Sequence, residues 1–243
     1  FAGEHEGQRE QGHPPTDAMS DQGRAWRLKS LLPAEAMRHL AERPFLLVPV
    51  GGTALQSERL PLGTDTIIVE HLADDVSARR RIVRAPALEY GVHPTSRASR
   101  GGVALRRKTL HRVVNELIDS WETGGGVRHF VLLTALANEA HLEALSTIRT
   151  EDAEVYTVDV FGLDFGHLLR STTPAARLGE LVTSLMLHIA PALVGPMADG
   201  PATESAELFG EGAAVASPAT GEAVYQFLLE RVLHLVDRTL AQG

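Results

Sequence analysis

Short apolar runs alternate with amphipathic helical patterns along most of this 243-residue chain. A short apolar run that is bounded by glycine, proline or polar residues is typical of a buried parallel strand. Four segments fit this description: Phe45 to Val50, Ile82 to Leu88, His129 to Thr134 and Val155 to Phe161. Strands that alternate with helices predict an α/β fold, specifically a three-layer α/β/α sandwich with a central, mainly parallel sheet.

The intervening segments carry apolar residues at helical spacing. Thr64 or Asp65 is predicted to cap the helix that contains Ile67 to Val76. The glycines from Gly124 to Gly126 are predicted to end the helix that contains Leu110 to Ile118. The predicted helices cover Leu32 to Leu40, Ile67 to Val76, Leu110 to Ile118, Leu178 to Ala190 and Ala223 to Leu240.

Composition favours one folded domain, since 44% of the residues are hydrophobic and 22% are charged. Residues 1–24 are polar and lack a long apolar run, so we expect this segment to be disordered and residues 25–243 to form a single domain. The apolar segment from Leu181 to Met197 is interrupted by polar residues and proline, which favours a buried helix over a membrane span.

The formal net charge of -8 argues against nucleic acid or an anionic membrane as a partner. The chain contains no cysteine, which excludes disulfides and thiolate metal sites and fits a cytoplasmic protein. No dinucleotide or phosphate-loop fingerprint is present.

Three loops follow predicted strands and are expected to converge on one pocket, because ligands bind at the carboxyl ends of parallel strands. They are Gly51 to Asp65, Ala135 to His141 and Phe161 to Thr173.

The first loop, with the strand end before it, runs from Pro49 to Asp65 and reads P-V-G-G-T-A-L-Q-S-E-R-L-P-L-G-T-D. It resembles the loop P-V-G-S-T-E-Q-H-G-P-H-L-P-L-G-T-D of the creatininase (creatinine amidohydrolase) family. The resemblance implies that the first Glu, the first His and the last Asp of this loop bind two divalent metal ions. Here Ala54 and Gln56 replace the first two ligands, and Asp65 remains.

Further segments resemble the same family in the same order, over about residues 32–241. Thr134 to Glu139 occupies the place of N-G-H-x-E/G-N, so Leu136 replaces a ligand His and Asn138 replaces a Glu. Gly179 to Leu187 resembles G-E-x-E-T-S-x-M-L, with Arg177 at the position of an upstream His. The other matching segments are Pro86 to Gly91, Gly101 to Leu105 and Gly212 to Ala223, with Thr95 and Ser96 in place of a Glu-His pair.

The resemblance implies hydrolysis of cyclic or linear amides by a metal-activated water. That chemistry needs several anionic or imidazole ligands, which Asp65 alone does not supply. We therefore expect a degenerate dinuclear site without metal. Asp65 is expected to cap its helix or to pair with Arg59 or Arg177, because a buried carboxylate needs a partner.

Polar side chains of these loops are the pocket candidates, although no catalytic residue can be assigned: Gln56, Glu58, Asp65, Asn138, Glu139 and Arg177. If a metal such as Zn or Mn is bound, its ligands are expected to be Asp65, Glu58, Glu139 and His141. For Glu139 and His141, capping and surface roles are favoured over metal binding. Arg177 either forms an ordinary salt bridge or binds a carboxylate or phosphate.

Three functions remain open. The first is a noncatalytic family member that acts as an assembly partner or ligand-binding subunit. The second is a repurposed enzyme that uses the old pocket without metal. The third is an amidohydrolase that cleaves C–N (amide) bonds with a rebuilt metal site. Creatininase-like proteins form ring-like hexamers, so the resemblance also implies a homo-oligomer, with a small-molecule ligand or a pathway partner protein.

Overall fold

The computed structural model describes residues 23–93, 101–136, 138–196 and 212–241. Within these ranges five parallel strands form one sheet in the order β1-β3-β2-β4-β5. The strands are β1 (Trp26–Arg27), β2 (Phe45–Val50), β3 (Val83–Arg84), β4 (His129–Thr134) and β5 (Glu154–Asp159). The helices are α1 (Pro33–Glu42), α2 (Thr64–Arg80), α3 (Arg107–Gly125), α4 (Glu139–Ser146), α5 (Pro174–Ile189), α6 (Gly212–Val215) and α7 (Pro218–Leu240).

Helices cover both faces of the sheet, which confirms the predicted three-layer architecture. Alternate residues of β2 and β4 point to opposite faces, so each strand contributes to two hydrophobic cores. Phe45 and Leu47 pack with α2, α5 and α7, while Leu46 and Val48 pack with α1, α3 and α4. β2 and β4 pair in register from Phe45 with His129 to Val50 with Thr134, so their carboxyl ends lie side by side.

Strand β3 is much shorter than the predicted segment from Ile82 to Leu88. Regular pairing ends after Arg84, and only a single bridge joins Leu88 to Val50. Pro86 lacks an N–H and cannot donate to a sheet ladder, which limits the strand. The buried Arg84 instead forms ion pairs with Glu70 at 3.0 Å and Asp74 at 2.8 Å, both on α2.

The predicted cap of α2 is wrong. Gly63 is the N-cap residue, and no side chain accepts a capping hydrogen bond there. Thr64 lies inside the helix and its hydroxyl donates to the carbonyl oxygen of Pro61 at 2.6 Å. Asp65 also lies inside the first turn, where its carboxylate faces the loop that follows β2.

Candidate functional site

The loop after β2 is fixed against the first turn of α2. The N–H of Gly51 donates to the carbonyl oxygen of Leu88 at 2.8 Å, and the N–H of Gly52 donates to Oγ1 of Thr66 at 3.1 Å. A Cβ atom on Gly51 would lie 2.2 Å from Oγ1 and 2.4 Å from Cα of Thr66. Only glycine permits this approach, so the loop and the helix start form one rigid unit.

Asp65 is fully buried in this unit and binds Gln56. Nε2 of Gln56 donates to both carboxylate oxygens of Asp65, at 2.5 Å and 2.6 Å. Gln56 is itself buried, and its neighbour Ala54 is fully buried and has no polar side-chain atom. A neutral amide therefore holds the Asp65 carboxylate.

Leu136 closes the neighbouring end of β4. It is buried, and its Cδ1 atom would lie 2.8 Å from a Cβ on Gly52 and 2.3 Å from a Cβ on Gly91. The leucine side chain therefore occupies the space that these two glycines leave free. This part of the site is apolar and filled.

His141 is fully buried, so the predicted surface role of this residue is wrong. Its Nδ1 accepts a hydrogen bond from the N–H of Val92 at 3.2 Å, which places the ring proton on Nε2. Nε2 then donates to Oγ1 of Thr134 at 2.9 Å. Burial, with a smaller contribution from the nearby His93, lowers the pKa of His141 to about 4. His141 is thus a neutral side chain that links the loop before α3 to the end of β4.

The helical spacing of α4 contains a signal for this burial that the sequence interpretation missed. His141, Ala144 and Leu145 stand at positions i, i+3 and i+4 and form the buried face of the helix. Asn138 is the N-cap residue, and its Oδ1 accepts from the N–H of His141 at 3.2 Å. Asn138 therefore serves as a cap in this structure, while Glu139 is exposed.

The donor atoms of the described residues do not fit a pair of metal ions. Both ring nitrogens of His141 are engaged in hydrogen bonds, and the carboxylate of Asp65 is held by an amide that donates. Glu58 and Glu139 are exposed. Among residues 23–93, 101–136, 138–196 and 212–241, no three His, Asp or Glu side chains come together as a metal site.

For Arg59 and Arg177, the two predicted partners of Asp65, the structure shows hydrogen bonds to backbone carbonyl groups. Arg59 donates to the carbonyl oxygens of Gly195 and Ala213, at 3.0 Å and 3.3 Å, and Nε of Arg177 donates to the carbonyl oxygen of Ser171 at 3.0 Å. Arg177 lies in a groove between the β5–α5 loop and α5, and neither Gln56 nor Asp65 lines that groove. Thr95 and Ser96 lie outside the described residues.

Glu180 fixes the loop that carries this groove, a role that no motif indicated. Its buried carboxylate accepts hydrogen bonds from the N–H groups of Arg170 and Ser171, at 2.7 to 3.1 Å. Burial alone would raise the pKa of the Glu180 carboxyl, but these hydrogen bonds hold it below its usual value. The β5–α5 loop is therefore tied to α5.

The parallel sheet between two helical layers, with loops grouped at the carboxyl ends of β2 and β4, defines a three-layer α/β protein. The creatininase family profile, described as creatinine amidohydrolase, matches residues 31–236. This match covers most of the chain, and the chain belongs to the creatininase family.

Solved structures of this family share the fold. A creatinine amidohydrolase (creatininase) superposes with a TM-score of 0.72 at 20% identity, covering 89% of this chain and 98% of that chain. A creatininase with one tryptophan replaced by phenylalanine gives 0.74 at 19% identity, covering 89% and 99%. A protein from Bacteroides fragilis assigned as a creatinine amidohydrolase gives 0.69 at 18% identity, covering 89% and 96%. Identities this low establish the shared fold and leave activity open.

No curated protein matches this chain at a significant level. In the part of the chain that the structure describes, every helix is too short or too polar to cross a membrane.

Proposed function

We propose that this protein is a noncatalytic, metal-independent member of the creatininase family that acts through ligand binding and assembly. The observation that carries the proposal is the contact between Gln56 and Asp65. The side-chain amide of Gln56 donates hydrogen bonds to both carboxylate oxygens of Asp65. A divalent ion bound to Asp65 would instead need the residue at position 56 to offer it a lone pair.

The apolar replacements support the same proposal. Ala54 and Leu136 are buried and offer no ligand atom, and the Leu136 side chain fills space beside Gly52 and Gly91. Hydrolysis by a metal-activated water requires a held ion and an open position for the water. The described donor set supplies neither, so no hydrolytic step follows from it.

A rebuilt metal shell of Asp65, Glu58, Glu139 and His141 is the less favoured alternative. The neutral His141 ring already binds a backbone N–H and a threonine hydroxyl, so ligation would require both the ring and Val92 to rearrange. Glu58 and Glu139 have exposed side chains. Moving several groups at once makes this function a weaker candidate than the noncatalytic one.

The test restores the family's ligands. We expect a variant that combines Ala54→Glu, Gln56→His, Leu136→His and Asn138→Glu to bind Zn or Mn, while the unmodified chain does not hydrolyse creatinine or linear amides with either metal supplied. A matched variant with glutamine at positions 54, 136 and 138 and asparagine at position 56 controls for side-chain size. Metal-dependent amide hydrolysis by the unmodified chain, abolished in Asp65→Asn, would refute the proposal.

We also propose a homo-oligomer, with a hexamer as the expected state. Large apolar side chains are exposed on the single chain, and association would cover them. These include Leu32 at 67%, Leu193 at 52%, Tyr90 at 51% and Met37 at 50% exposure. Light scattering should give a molar mass about six times that of one 26.2 kDa chain. A mass near that of one chain at micromolar concentration would contradict it.

A further inference from the structure

A groove runs between the β5–α5 loop and the first turns of α5, and we call it the α5 groove. Its cavity has a volume of about 320 Å³ and is lined mainly by apolar side chains, with one cation at its edge. The groove-lining residues that matter here are Phe161, Leu163, Phe165, Leu169, Leu178 and Arg177. This volume is at the small end of the range for ligand pockets in proteins.

Arg177 is an exposed residue that lines this groove. Nε is used by the carbonyl oxygen of Ser171, whereas Nη1 and Nη2 both lie 3.7 Å from the point where a Cβ on Gly166 would stand. Gly166 has no side chain to cover them. Among the ion pairs of the described residues, none involves Arg177. Nη1 and Nη2 of this side chain therefore form no ion pair within the described residues and can donate to an anion.

Hydrogen bonds hold the loop behind Arg177. The hydrogen bonds from Arg170 and Ser171 to the buried Glu180 fix the loop whose Ser171 carbonyl orients the guanidinium. Thr173 caps α5, with Oγ1 accepting from the N–H of Ala176 at 3.3 Å. Arg177 stands in the first turn of this helix, where the helix dipole also favours negative charge.

Asp164 limits how much negative charge the groove accepts. It lines the same groove, and its Oδ1 accepts from the N–H of Gly166 at 2.8 Å. A Cβ on Gly166 would lie 3.0 Å from this oxygen and 3.7 Å from each terminal nitrogen of Arg177. A ligand with one carboxylate satisfies Arg177, while a second carboxylate would be repelled by Asp164. The apolar lining favours a hydrocarbon chain or ring as the remainder of the ligand.

We propose that the α5 groove binds a small monocarboxylic acid with an apolar body. The carboxylate accepts paired hydrogen bonds from the terminal nitrogens of Arg177, and the hydrocarbon part is buried against Phe161, Leu163 and Leu178. This inference rests on the ligand-binding part of the proposed function and names the class of ligand.

The test uses hexanoate and phenylpropionate as probes, titrated into the full chain and followed by calorimetry and by NMR. We expect saturable binding of both acids, and binding at least about tenfold weaker in Arg177→Gln. Asp164→Asn should bind them more tightly, because it removes the competing negative charge. Arg112→Gln, which makes the same charge change on the exposed face of α3, should leave affinity unchanged.

Neutral phenylpropionamide and inorganic phosphate distinguish the alternatives. Equal affinity for the amide, equal affinity in Arg177→Gln, or no saturable binding of either acid would overturn the inference. Phosphate that competes at the same concentration as the acids would also overturn it, because the groove would then be a general anion site. If the protein contains no metal and does not bind the acids, only this inference is refuted. Tightly bound metal would refute the proposed function, whether or not the acids bind.

Discussion

Gly51→Ala is expected to lower the free energy of unfolding by at least about 3 kcal/mol. The added Cβ would lie 2.2 Å from Oγ1 and 2.4 Å from Cα of Thr66. Rotation of the threonine side chain relieves the first clash and not the second, because the Cα atom belongs to the first turn of α2. The loop must then separate from the helix, and the hydrogen bond from Gly52 to Thr66 is lost.

Urea denaturation followed by circular dichroism measures this change, with Gly124→Ala as the control. Gly124 lies in α3, and a Cβ there meets no atom within 4 Å. Alanine favours a helix over glycine by up to about 1 kcal/mol, so this variant should be as stable as the unmodified chain or slightly more stable. Similar unfolding midpoints for both variants would show that the close contact at Gly51 is absent.

Acidification is expected to destabilise the protein through His141. The pKa of this group is lowered from 6.5 to about 4 in the folded state, chiefly by burial and secondarily by His93. Between these values the unfolded chain binds a proton that the folded chain does not bind, so stability falls as the pH falls. The contribution is complete above pH 6.5 and is lost progressively towards pH 4. Its size is roughly 2–3 kcal/mol between pH 7 and pH 4.5.

His141→Gln separates this effect from the titration of carboxylates. Glutamine can accept from the N–H of Val92 and donate to Thr134, and it carries no titratable group in this range. Free energies of unfolding measured at several pH values should fall more steeply in the unmodified chain than in the variant. Parallel curves would contradict the assignment of a buried, neutral His141.

The central strands could be predicted because they are almost completely buried, and most helices because one face of each is buried and shows helical spacing. β2 and β4 have the predicted bounds, since β2 is wholly apolar and β4 has four consecutive apolar residues between His129 and Thr134. β1 was missed because two residues are too few to show a pattern, although Trp26 pairs with Val83. The helix at Pro218–Leu240 begins five residues before the prediction, since Ser217 caps it and Pro218 starts it.

The sequence indicated which residue types stand at the candidate site, but not how their side chains are arranged. The family resemblance identified Ala54, Gln56 and Leu136 as replacements of metal ligands, and this stays a prediction. The structure adds that all three residues are buried. A sequence pattern does not state which way an amide points, so the double contact of Gln56 with Asp65 was missed. Nor does it show that Arg177 lies in a groove that neither Gln56 nor Asp65 lines.

In the proposed function, the creatininase fold persists in this chain without the donors that would hold metal ions. The most direct test is the metal content of the chain, purified without chelator and measured by inductively coupled plasma mass spectrometry. We expect far less than one Zn, Mn or Fe ion per chain, before and after dialysis against added metal. One or two ions per chain, lost in Asp65→Asn, would contradict it and would favour the amidohydrolase with a rebuilt site.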